Sequence, residues 1–141
     1  MANPVVNLPY NLQNLDPGLR LSDARGLSGA VSDWSGASSQ NAVTASTTQT
    51  QVGGTVLRAT ISRVTVANAS DAVTLGFNAT PGRTFCIIND SGQTISLFPK
   101  SGDKLNDAAG DAAVTLADNT ISYYSCPATG LWFGGASTLE T

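Results

Sequence analysis

After Thr55 apolar and polar residues alternate with a period of two in short runs separated by turn residues, a pattern of half-buried strands. Residues 56–66 form the longest run. Their apolar parity switches from Leu57, Ala59 and Ile61 to Val64 and Val66, which predicts a bulge or bend near Ser62-Arg63. Residues 68–71 turn the chain into a strand over residues 72–77, where Val73, Leu75 and Phe77 share a face. After the turn Thr80-Pro81-Gly82, residues 83–89 are apolar on both faces at their centre, which predicts the middle of the core.

Asp90-Ser91-Gly92-Gln93 reads as a hairpin connection into residues 94–100, with Ile95 and Leu97 facing inward and Pro99 ending the strand. A loop over residues 101–111 delivers the alternating residues 112–117. The tight turn Asp118-Asn119 precedes a strand over residues 120–126, and Leu131-Trp132-Phe133 forms a last one. The expected fold is all-β: a small antiparallel β-sandwich or jelly roll over residues 55–135, followed by a C-terminal tail, 136–141.

Residues 1–54 follow neither period. Pro4, Pro9 and Pro17 forbid a long helix and remove ladder donors, although Leu8, Leu12, Leu15 and Leu19 allow a single turn around residues 11–15. Gly26-Leu27-Ser28-Gly29-Ala30 and residues 35–50, almost wholly Ser, Thr, Ala, Gln, Asn and Gly, read as extended linker. Such a segment has no core of its own. The expectation is an extended N-terminal arm that gains order by lying across another subunit, burying Val5, Val6, Leu8, Tyr10, Leu12, Leu15 and Trp34 there.

Composition sharpens this picture. Apolar residues make up 41% of the 141 residues but charged residues only 12%, about half the usual share, so Ser, Thr, Asn and Gly must solvate the surface. A surface so short of charge has little electrostatic protection against association, which suits a protein that packs against neighbours. Seven scattered cations in a chain of net charge −3 offer no stripe for a phosphate backbone, so direct nucleic-acid binding is not expected. The start, Met1-Ala2-Asn3-Pro4-Val5, has no secretory pattern, and no apolar run approaches the ~20 residues of a membrane span. A soluble chain made in a cytosol is expected, and with it two buried free thiols at Cys86 and Cys126 in preference to a disulfide.

The chain has no histidine, which removes the commonest general base and metal ligand. Asp103, Asp107 and Asp111 recur every four residues and with Asn106 could be imagined around calcium. Their spacing departs from the known calcium loop, and turn-capping in a solvated loop is the preferred reading. Asp90 and Asp118 occupy turn positions where Asp is favoured for backbone reasons. Gly53-Gly54 and Gly134-Gly135 lack the helix and Lys of a phosphate loop. Tyr123, Tyr124, Trp132 and Phe133 cluster near the end and suit core or subunit interface better than a sugar platform. No enzyme activity, cofactor or metal is expected.

The stretch Thr84-Phe85-Cys86-Ile87-Ile88-Asn89-Asp90-Ser91-Gly92-Gln93-Thr94-Ile95-Ser96-Leu97-Phe98-Pro99 continues through Gly102-Asp103-Lys104-Leu105-Asn106 and Leu116-Ala117 to Trp132-Phe133. It resembles a β-module common in structural proteins of tailed bacteriophages, over about residues 60–134. The resemblance implies a virion part: a capsid decoration (cement) protein, or a tail or head-fibre component with a host receptor- or glycan-binding role. A short chain with an apolar arm is most similar to the decoration proteins. That implies a homotrimer on the capsid surface, assembled in the host cytoplasm, with the arm running over the major capsid protein.

Overall fold

The computed structural model describes residues 38–139, and every structural statement concerns those. Ten strands follow in order: β1 (Ser39–Thr44), β2 (Thr55–Leu57), β3 (Ile61–Val66), β4 (Ala72–Leu75), β5 (Thr84–Asn89), β6 (Ile95–Phe98), β7 (Lys104–Leu105), β8 (Val114–Leu116), β9 (Thr120–Ala128) and β10 (Leu131–Thr138). The described fold is all-β. A six-stranded sheet has the order β1-β3-β5-β9-β10-β7 and a four-stranded sheet the order β2-β4-β6-β8.

The pairing departs from the antiparallel expectation. β1, β3 and β5 run parallel in the large sheet, as do β2, β4 and β6 in the small one. The chain therefore crosses from the large sheet to the small one three times, from β1, β3 and β5, and twice returns one strand further along, at β3 and β5. Ser39, Ile61 and Cys86 are aligned in one sheet, and Thr55, Val73 and Leu97 in the other. This is solenoid-like stacking, with no jelly-roll order among the described strands.

The physical reason lies in the corners. Parallel neighbours need a crossover, and here the strand in the opposite sheet supplies it. Residues 68–71 and 90–93, which have the chemistry of hairpin turns, instead carry the chain from one sheet to the other. The parity switch in residues 56–66 has the same origin: the run breaks into β2 and β3, which lie in different sheets. After three coils the direction reverses, since β8 is antiparallel to β6 and β9 to β5. β9 and β10 form the one long hairpin among the described strands, and β7 adds to β10 in parallel.

Both sheets contribute to one core. Val64, Phe85, Ile87, Tyr124 and Trp132 from the large sheet meet Leu57, Val73, Leu75, Ile95, Leu97 and Leu116 from the small one. Each such side chain contributes about 1.5–3 kcal/mol on burial. Phe85 is the aromatic hub, stacked on Tyr124 at 5.0 Å between centroids and edge-to-face with Trp132 at 4.8 Å. Gly134 is fixed by close approach, because a Cβ there would sit 1.9 Å from the Tyr123 carbonyl oxygen.

The body also begins and ends beyond the expected limits. Residues 39–54, read as linker, contain β1 and lead straight into β2, and Gln40 Oε1 accepts from the backbone N–H of Ala59 at 3.0 Å. Val43 and Ala45 reach the core from this polar stretch. At the other end β10 extends through residues 136–138, placed in the tail by composition. The arm residues Val5, Val6, Leu8, Tyr10, Leu12, Leu15 and Trp34, with the single turn at 11–15, lie outside the described residues.

Candidate functional site

The sequence-singled carboxylates take separate structural duties. Asp103 is buried, and its Oδ2 accepts from the Ala79 N–H at 2.7 Å. Asp111 is exposed, and its Oδ1 accepts from Gln51 Nε2 and the Gly102 N–H. Those two contacts, Gln51 foremost, hold its carboxyl below the usual value. Asp118 accepts from the Gly92 N–H, and Asp90 pairs with Arg63 on the surface. Among the described residues no group of three His, Cys, Asp or Glu could hold a metal ion.

The aromatic cluster divides by strand parity. Tyr124 and Trp132 point inward and are 3% and 0% exposed, whereas Tyr123 and Phe133 point outward at 61% and 45%. Successive residues of a strand face opposite sides, so Tyr123 and Tyr124 cannot share a site.

The outward pair belongs to a wider surface. Ile61, Cys86 and Tyr123 are aligned across β3, β5 and β9, and in the next row Arg63, Ile88 and Ile121 are aligned. Phe133 pairs with Ser125, two residues along β9 from Tyr123 on the same face. Ile61 is also exposed, at 41%. The outer face of the large sheet thus presents Ile61, Ile88, Ile121, Tyr123 and Phe133 with the Arg63–Asp90 pair at one border. Large apolar side chains grouped on an open face mark an interaction surface more often than a reaction centre. The sequence signal was the apolar positions of β5 and β9 that are left over once the inward parity is assigned.

Cys86 and Cys126 are free and buried. The register places Cys86 opposite Tyr123, with its side chain on the outer face, whereas Cys126 belongs to the inner core, so the sheet separates the thiols. Burial pushes the Cys86 thiol up, a hydrogen bond with Tyr123 opposing in part, and burial also raises the Tyr124 hydroxyl.

These shifts give a signed pH dependence. A raised group contributes stability that is fully present below its unfolded value and is lost as pH rises toward the folded one. Thermal melts followed by circular dichroism are expected to be flat from about pH 6 to 8 and to fall above about pH 9, as the unfolded thiol and phenol ionise first. Tyr124→Phe should remove part of the alkaline fall. An unchanged alkaline limb in that variant refutes the assignment. Asp111 acts oppositely: its contribution is present above the ordinary carboxylate value of about 4 and is lost as acid protonates it.

Comparison with protein family models, with curated proteins and with solved structures finds no match.

Proposed function

We propose that this chain is a virion structural protein: a decoration or cement protein that binds the outer surface of a phage head and stabilises contacts between capsomers. The observation that supports this most is the open apolar face of the large sheet, Ile61, Tyr123 and Phe133 above all, in a chain with only 12% charged residues. A surface of that kind gains free energy by covering apolar area, at about 25 cal/mol per Å². In this reading the partner is the major capsid protein, the chain associates as a homotrimer, and an extended N-terminal arm carries Val5, Val6, Leu8, Tyr10, Leu12, Leu15 and Trp34 across neighbouring capsid subunits. Ordering such an arm opposes much of its burial, so tight attachment needs several arms acting together.

The fold sets where the arm can be cut. Removing residues 1–37 leaves β1 and every described core residue in place, whereas removing residues 1–50 deletes β1 and bares the edge of β3. The shorter deletion is expected to keep a cooperative melt close to that of the full chain and to lose occupancy on undecorated capsids at least tenfold. Full occupancy by residues 38–141 would refute the arm. The longer deletion should lower the melting temperature sharply.

A second reading rests on Tyr123 alone, whose exposed ring suits stacking on a sugar in a tail or head-fibre component. Tyr123→Ala would then abolish host adsorption while leaving particles intact. In the cement reading it lowers occupancy instead.

A further inference from the structure

The stack of coils has one end at which two sheet edges lie together. Among the described strands β1 pairs only with β3 in the large sheet and β2 only with β4 in the small one, so the first coil turns one side of each strand away from the stack. Edges of that kind are templates for another chain, and the nearest supply of matching strands is a second copy of this protein. Proteins commonly blunt such edges with lysine, other charges or proline. Residues 38–57 contain none of these.

The backbone of β1 carries the protection instead. Gln40 lies beside Ser62 and Val43 beside Val64, so two residues, Asn41 and Ala42, stand opposite Arg63 alone, and the register slips again between Val43 and Thr44. A bulge of this kind leaves one residue unpaired and bends the strand. Ala42 takes up the extra length at φ 61°, a left-handed conformation that crowds an alanine Cβ against the backbone and that glycine adopts freely. Ala42 is exposed, so burial in the core does not account for the strain.

The bulge acts on the outward side of the strand. A regular strand repeats every two residues, whereas the inward side chains Gln40 and Val43 are three apart. An incoming strand therefore matches the backbone before the bulge or after it, but not both. The small sheet is guarded by other means. β2 is only three residues long, Thr55 Oγ1 donates back to the Thr44 carbonyl at 2.8 Å, and Gln40 Oε1 accepts from the N–H groups of Arg58 and Ala59 just past the end of β2.

We infer that the first coil, residues 39–57, is an end cap, and that its bulge at Asn41-Ala42 keeps the stack from pairing edge to edge with a second copy of the chain. Shape does here what charge does in other proteins. The inference goes beyond any role on a capsid and does not rest on one.

The test compares the full chain with three variants by sedimentation velocity over a hundredfold range of concentration, each variant first checked for a cooperative melt. Deleting Ala42 leaves Asn41 opposite Arg63 and Val43 still beside Val64, which makes β1 regular through Val43. That variant is expected to reach at least twice the parent's sedimenting mass at the upper concentrations, with added protection from amide hydrogen exchange over residues 39–44. Deleting Asn41 in place of Ala42 removes the same extra length and should do the same. Ala42→Gly keeps the bulge while easing its φ, and should sediment as the parent does. A deletion variant that melts cooperatively and keeps the parent's mass would overturn the inference, as would association of Ala42→Gly. If neither deletion folds, the bulge serves the fold itself and the cap role is refuted. No capsid enters the test, so failed decoration of shells would sink the cement reading alone.

Discussion

Asn89→Ala is expected to destabilise the fold by about 2–4 kcal/mol, although the residue carries no charge and touches no candidate ligand surface. Asn89 is fully buried at the end of β5. Its Nδ2 donates to the carbonyls of Gln93 at 2.8 Å, Ala117 at 3.0 Å and Leu116 at 3.1 Å, and its Oδ1 accepts from Ser91 Oγ at 2.8 Å. Two amide hydrogens serve three carbonyls, so one of them is shared. The side chain thereby ties the corner after β5 to the end of β8. Alanine would strand buried acceptors at about 1–3 kcal/mol each, offset where Ser91 and Thr120 Oγ1 still reach Gln93 and Ala117.

At about 4–8 °C per kcal/mol for a domain of this size, the melting temperature should drop by roughly 8–30 °C. Asn89→Asp should be worse near neutral pH, because it aims a carboxylate at three carbonyl oxygens, and it should recover in acid as that carboxylate is protonated. A loss under about 1 kcal/mol in urea melts of Asn89→Ala would show that the corner holds without its tie.

Trp132→Ala should cost about 3–5 kcal/mol, enough to unfold a marginal domain at physiological temperature. Trp132 is completely buried and meets both Phe85 and Phe77 edge-to-face. Its Nε1 has no hydrogen-bond partner among the described residues. Trp132→Phe therefore gives up volume but no polar contact, and should cost less than half as much as the alanine change. Equal losses in the two variants would mean that the indole N–H has a partner after all.

The strands with a clean alternation were legible because one face of each is committed to the core. β6 follows the expected pattern with Ile95 and Leu97 inside, whereas β5, expected to be the middle of the core, has Phe85 and Ile87 inside and Cys86 and Ile88 on the outer face of its sheet. β1 was not legible: of its six residues only Val43 is buried, and the strand is held mainly by pairing along β3 and by Gln40. β7, two residues inside an Asp-rich loop, gave no period at all.

Topology was the larger miss. A period of two reports which side of a strand is buried and is blind to the direction of its neighbour. The corners at residues 68–71 and 90–93 use the same Asn, Asp, Ser and Gly as hairpins do. On the surface, Tyr123 and Phe133 were named in the sequence, but among the inward Tyr124 and Trp132.

That register has a consequence for how such a body can change length. An insertion of a few residues within a strand breaks its register against the neighbours above and below, whereas one in a corner loops outward and leaves the stack no taller. A whole additional turn, one strand for each sheet, leaves all existing partnerships intact and raises the stack by ~4.8 Å. Growth by duplication is therefore open to this architecture where growth by small steps is not, and the height of the body is set in units of one circuit.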